Sequence, residues 1–270
     1  MKNGDRAWFA TLAVLAGYVW LRDRAWWGTA EDVLPILTAM PLVGWLGQPW
    51  RLRSDQPFQL GTIHLVVAAG LLVVGAVFDL CLPGAAAWCL ALWAWASRRC
   101  ESADLPRIRR LLPLALLAFP WVTLDLQPVG WWFRLSSAIS VANLFSALDF
   151  SVTRTGVELL VQGLPISVDA ACSGLKALQS LLIAGAVLTF VMKGTHRSYW
   201  LNLLLLFPLA WIANTCRILA ICVAAMTWGS NFAMGAFHAW GGLAVLVFMF
   251  GLCWAILRLQ QVASTASSRS

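Results

Sequence analysis

Long apolar runs set the rhythm of this chain, and short polar stretches interrupt them. A bilayer's hydrocarbon core takes about 20 helical residues, with a range of about 17–25. On that ruler the runs divide into eight membrane helices: Trp8–Leu21, Val33–Trp50, Leu60–Phe78, Ala85–Ser97, Leu111–Leu126, Cys172–Met192, Tyr199–Met226 and Gly235–Leu257. The first and fourth are short, and the second carries Pro35 and Pro41. The expected architecture is an all-α polytopic membrane protein, one transmembrane domain over residues 1–270. It comprises five N-terminal spans (1–127), a loop (128–171), three further spans (172–258) and a tail (259–270).

The loop has a pattern of its own. Leu135, Ala138, Ile139, Ala142, Phe145 and Leu148 recur at helical spacing, with Ser136, Ser140, Asn143 and Asp149 opposite. That predicts an amphipathic helix lying on the membrane surface, with Trp131 and Trp132 as interfacial anchors. Val157–Val161 and Leu164–Val168 read as short strands, and Gly156 and Gln162-Gly163 as turns, giving a small hairpin or meander. Open strands leave backbone groups unpaired in lipid, so this element lies outside the bilayer or on protein.

Composition agrees with a membrane chain: 60% of residues are hydrophobic and 11% charged, against about 25% charged in soluble domains. The net charge of +7 reports orientation rather than nucleic-acid binding. Alternate loops hold Lys2 and Arg6; Arg51 and Arg53; Arg98, Arg99, Arg107, Arg109 and Arg110; Lys193 and Arg197; Arg258 and Arg269. The opposite loops hold Arg22, Arg24, Arg134 and Arg154. This asymmetry puts both termini in the cytoplasm and the 128–171 loop outside. The N-terminal stretch lacks a small-x-small cleavage site and is read as an uncleaved first helix. Seven cysteines, mostly in apolar runs, form neither a disulfide framework nor a CxxC site, and no metal or organic cofactor is implied.

Three polar outliers then stand out. Asp169 is a candidate N-cap, which puts Cys172 in the first turn of the sixth span. A helix N-terminus favours a thiolate, while Asp169 opposes it. Lys176 shares the face of Cys172, either supporting the thiolate or snorkelling to the interface. Taken alone, Cys172 also reads as a packed membrane cysteine. Topology adds weight to the thiol, because Cys172, Arg217 in the seventh span and His238 in the eighth all fall in the outer half of the membrane. A straight helix puts Arg217 about 13 Å below Met226, so either the seventh helix ends early or Arg217 points from a recess. His238 can take the thiol proton and return it to a leaving amine. Arg217 can hold the charge that builds on a carbonyl oxygen under attack. Asn214, one turn before Arg217, can orient it or bind substrate. The plainer reading pairs Arg217 with Asp169 or Glu158 and bonds the histidine to backbone.

Ala171-Cys172-Ser173-Gly174, Asn214-x-x-Arg217 and His238 in the last span together resemble the exosortase/archaeosortase family. These are polytopic membrane cysteine proteases or transpeptidases that act like sortases on an unrelated fold. The resemblance runs from Val152 to Phe250; earlier residues match in hydropathy and span count. His238 stands where archaeosortases typically carry Arg, which favours the bacterial exosortase branch, and Lys176 stands where many members carry Arg. The resemblance implies Cys172 as nucleophile, completed by Arg217 and His238, with Asn214, Ser173, Gly174 and Lys176 binding substrate or supporting the site. It implies secreted protein substrates with a C-terminal sorting signal: a short motif, a transmembrane helix and a basic end. Acyl transfer through Cys172, at the outer face of a bacterial inner membrane, would pass the product to water or to an amine on a surface-polymer or lipid acceptor. Two other readings remain at this point. One is a channel or transporter with Arg217, Lys176 and His238 along its path; the other is a non-catalytic membrane scaffold for surface-polymer export.

Overall fold

Small side chains let one helix of the N-terminal part pack on four neighbours. This helix, α4 (Cys81–Arg99), buries Ala85, Ala87, Ala91, Ala94 and Ala96 and contacts α1 (Asn3–Arg22), α3 (Thr62–Val77), α5 (Leu105–Leu117) and α6 (Trp121–Leu124). A further helix, α2 (Ala30–Leu46), packs on α5. The computed structural model describes residues 3–27, 30–53, 62–167, 175–194, 196, 198–234 and 236–267; the side chains of Lys176 and His238 are among those outside the description. The chain folds as two compact units, Met1–Asp125 with Lys193–His196, and Leu126–Met192 with Arg197–Ser270.

Two boundaries in the first unit differ from expectation for identifiable reasons. The fourth helix starts at Cys81, earlier than its hydropathy suggests, because Asp125 caps it from a distance. Its two carboxylate oxygens accept the N–H groups of Cys81 at 2.9 Å and Leu82 at 2.6 Å. The expected fifth span is two helices. It begins at Leu105 behind Pro106 and breaks before Pro120, which lacks the N–H needed to continue α5. At the other end of α4, Arg99 grips Asp5 through Nε at 2.9 Å and Nη2 at 2.7 Å, and both residues are buried.

The second unit contains α7 (Gln127–Ala147), strands β1 (Val152–Thr155), β2 (Glu158–Val161) and β3 (Leu164–Ser167), and helices α8 (Leu175–Lys193), α9 (Tyr199–Trp228), α10 (Ser230–Met234) and α11 (Ala236–Ser267). The strands form one antiparallel meander in chain order. Its turns fall where the glycines predict, with φ of +62° at Gly156, +50° at Gln162 and +80° at Gly163. Those positive values suit the two-residue turns that follow strand twist. The meander also has a strand, β1, that the hydropathy pattern alone does not show.

The predicted surface helix is present as α7 but starts earlier, and its buried face is rotated. Its buried residues are Gly130, Ser137, Ala138, Val141, Ala142 and Phe145, while Ile139 and Leu148 are exposed. The cause is α9, which packs along α7 and offers hydrogen-bonding groups to Ser137. Likewise α11 continues as helix through Ser267, across most of the expected tail. Among the described residues, α9 is the one helix both long and apolar enough to cross a membrane. Shorter apolar stretches occupy Val33–Leu46, Ile63–Val77, Leu178–Lys193 and Val247–Val262.

Candidate active site

Leu159, Val161 and Ile166 point from one face of the meander into a core with Ala138, Val141, Ala142 and Phe145 of α7. The other wall of that core is the C-terminal third of α9: Ile218, Ile221, Cys222, Ala224 and Ala225, joined by Ala233 of α10. Strand alternation explains the choice, since Glu158 and Leu160 on the opposite face are exposed. The sheet therefore seats directly beyond Arg217.

This seating fixes what surrounds α9 just beyond Arg217. At 1.5 Å per residue the 30 residues of α9 span about 45 Å, whereas the hydrocarbon core is about 30 Å thick. A sheet with open edges does not face lipid, so it lies outside the bilayer or on protein, and here one face packs on α7 and α9. From Tyr199 to Arg217 is about 27 Å, close to the thickness of that core. Arg217 directly precedes the segment of α9 that the sheet covers. The helix does not end early: it runs on past Arg217 to Trp228.

Around Arg217, α7 and α9 are joined by side-chain hydrogen bonds. The hydroxyl of buried Ser137 accepts Asn214 Nδ2 at 3.3 Å and Thr215 Oγ1 at 3.0 Å. One turn earlier, Trp211 Nε1 donates to Ser136 Oγ at 2.9 Å. Asn214 and Arg217 share a face of α9. Two buried atoms on that face, Asn214 Oδ1 and Arg217 Nε, have no hydrogen-bond partner among the described residues. Buried polar groups are normally satisfied, so these two atoms on one face of α9 single out this turn of the helix. Arg217 makes no ion pair with Glu158, and Asp169, the other pairing candidate, lies outside the described residues.

The remaining expected site residues are placed by their elements. Cys172, Ser173 and Gly174 lie outside the described residues, between the end of β3 at Ser167 and the start of α8 at Leu175. Both flanks are anchored. Strand β3 packs on α9 and α10, and Leu175, fully buried, fits against Gly130 of α7 so closely that an added Cβ there would sit 2.7 Å from its Cδ1. Lys176 is in the first turn of α8, and the next polar residue along, Gln179, is buried. His238 is in the first turn of α11, and α11 packs on α9 and α10.

Ser137, Thr215 and Trp211 were not legible as site residues from their types. The available signal was a hydroxyl at position 137 inside a stripe of small apolar residues, where lipid or protein would otherwise leave it unpaired.

These features describe a mainly helical protein with a polar patch between α7 and α9 beside a small sheet. A model of the transmembrane exosortases matches residues 26–255, and the chain belongs to that family. No curated protein and no solved structure matches it. Membership makes it a membrane protein of a family that processes sorting signals, with protease or transpeptidase chemistry and sorting-signal proteins as substrates.

Proposed function

We propose that the protein is a cysteine endopeptidase or transpeptidase that removes C-terminal sorting signals, with Cys172 as nucleophile and His238 and Arg217 as its partners. The observation that carries this reading is the unsatisfied donor and acceptor, Arg217 Nε and Asn214 Oδ1, on the turn of α9 just before the segment the sheet covers. A sorting signal places its cleavable peptide next to a membrane helix, so a peptide-binding pair belongs at that level. A transporter would set its polar groups near the midplane.

The chemistry follows from the side chains. His238 takes the proton of Cys172, and the thiolate adds to the scissile carbonyl. Arg217 donates to the oxyanion that forms. Asn214 holds the neighbouring peptide group, with Ser173 and Gly174 lining the approach and Lys176 adding positive charge near the thiolate. Collapse breaks the C–N bond as His238 returns its proton to the departing amine. The tail leaves and an acyl thioester remains on Cys172. Water resolves the thioester by hydrolysis; an amine on a surface-polymer or lipid acceptor resolves it by transfer. The site faces outward across a bacterial inner membrane, both termini are cytoplasmic, and the eight apolar segments form one multi-pass transmembrane domain.

The test is to express the Cys172→Ala and Arg217→Lys variants beside a protein bearing a sorting signal. Tail removal is lost in the first. In the second it falls by about 10²-fold or more, because lysine keeps the charge without the planar fork. Full removal in Cys172→Ala cells refutes the proposal.

A further inference from the structure

The first unit contains a cleft that this chemistry does not use. Its volume is about 560 Å³, and its walls come from α1, α2 and α4 together with Trp50 and Leu52. Every lining side chain is uncharged and nearly all are hydrocarbon or indole. Four tryptophans line it, and none offers its N–H to the cleft. Trp20 donates to Ala118 O at 2.9 Å, Trp50 to Gly44 O at 2.9 Å, Trp88 to Leu12 O at 2.8 Å and Trp95 to Asp5 Oδ1 at 3.2 Å. With every indole donor spent internally, the walls present ring faces and aliphatic carbon. An occupant needs no hydrogen-bonding groups and loses free energy by burying any.

The cleft has a direction. Along α1 it runs from Phe9 to Trp20, about 16 Å at 1.5 Å per residue, which is half the thickness of a hydrocarbon core of about 30 Å. The Phe9 end, where Trp50 and Trp95 also stand, is the arginine-rich end. Phe9 and Trp95 stack at 4.8 Å, and Trp95 lies over the Asp5–Arg99 pair. Leu52, which lines the cleft, is flanked in sequence by Arg51 and Arg53 and bridges to Cys100 just beyond Arg98 and Arg99. Among the described residues the acidic groups there are engaged: Asp5 with Arg99, Asp104 with Arg107 and, at 4.0 Å, Glu101 with Arg51. Arg6, Arg53 and Arg98 make no ion pair among the described residues, so the described charges at this end sum to positive.

We propose that the cleft binds one anionic phospholipid of the surrounding bilayer. One acyl chain lies along the tryptophans for the depth of a leaflet, and the phosphate sits among Arg6, Arg51, Arg53 and Arg98. A transmembrane helix does not fit the volume. One helical turn with side chains already fills roughly 500 Å³, and a span has more than five turns. A zwitterionic lipid satisfies the cleft but leaves the arginines without their counter-charge.

Gly44 gives a clean test. It lines the cleft, and a Cβ added there meets nothing within 4 Å. Gly44→Leu therefore adds bulk at the cleft wall from a Cβ position that is clear. The full-length protein is placed in nanodiscs of equal phosphatidylglycerol and phosphatidylcholine, extracted in mild detergent, and its retained lipid identified by native mass spectrometry. The wild type retains one phosphatidylglycerol. Gly44→Leu, with its melting temperature kept, retains about tenfold less. Arg51→Gln with Arg53→Gln retains a lipid but loses about fivefold of the anionic preference per arginine. Equal retention of the two lipids by the wild type, or undiminished retention by a folded Gly44→Leu, overturns the proposal. Capture of a substrate tail instead of lipid by a photo-crosslinker at Met40 also overturns it. None of these readouts depends on peptide cleavage, so they stand apart from the fate of Cys172.

Discussion

Replacing Ser137 by alanine tests whether the α7–α9 contact positions the polar face of α9. Ser137 is wholly buried, and its hydroxyl serves Asn214 and Thr215 together. The change to alanine removes one oxygen with little loss of volume, so packing is nearly constant; Asn214 Nδ2 loses its acceptor, and Thr215 Oγ1 keeps only its bond to Trp211 O. Interhelical hydrogen bonds inside membranes contribute about 0.6 kcal/mol on average and up to about 1.7. Two such bonds give an expected destabilisation of about 1–2 kcal/mol. A double-mutant cycle isolates the pair: Ser137→Ala, Asn214→Ala and both together, each unfolded reversibly in mixed detergent. The expected coupling between positions 137 and 214 is about 0.6–1.7 kcal/mol. Tail release, measured on the same preparations, should fall in Ser137→Ala and no further in the double variant than in Asn214→Ala, because the serine acts through the asparagine. A coupling below about 0.3–0.5 kcal/mol is indistinguishable from independent sites. That result, or full activity in Asn214→Ala, would refute the assignment of Asn214 as a residue held in place for substrate.

Two further outcomes follow from the first unit. Asp5→Ala strands a buried guanidinium and should cost about 3–5 kcal/mol, whereas Asp5→Leu combined with Arg99→Met should recover most of it; thermal unfolding of the purified variants separates the two, and equal losses would contradict the pair's role. The Cys100 thiol, outside the spans, is pushed up to about 11 by burial, with Asp104 adding to the shift. A raised thiol stays protonated, so at pH 8 about one molecule in a thousand carries the thiolate. Iodoacetamide labelling of Cys100, read by peptide mass spectrometry, should therefore be very slow there and quicken about tenfold per pH unit toward 11; rapid labelling at pH 8 in the folded protein would contradict it.

The fold was legible where local chemistry dominates. Gly156 and Gln162-Gly163 announced their turns, and the apolar runs marked α1, α3, α8 and α9 to within a few residues at most of their ends. It was illegible where a distant group decides. Asp125 extends α4 from more than forty positions away, and Ser137 turns α7 about its axis to meet a helix that comes much later in the chain. For the site, the residue types of Cys172, Arg217 and His238 carried the resemblance, but only from Val152 onward, while the family match reaches back to residue 26. The surroundings of Arg217 could not be read from the run that contains it, because the sheet that packs on the next turns of α9 comes from another part of the chain.

The seating of the meander on α9 also sets a schedule for biosynthesis. Leu159, Val161 and Ile166 leave the ribosome well before Ile218–Ala225, the surface that covers them. With roughly 50–65 residues still to be made at about 5–20 residues per second, the apolar face of the sheet waits on the order of 3–13 s without its cover. Through that interval the sheet rests on α7 alone, through Ala138, Val141, Ala142 and Phe145, and the rest of its apolar face is uncovered. A chain stopped before α9 never acquires that cover, so truncation there should yield a species removed by proteolysis rather than a partly working enzyme.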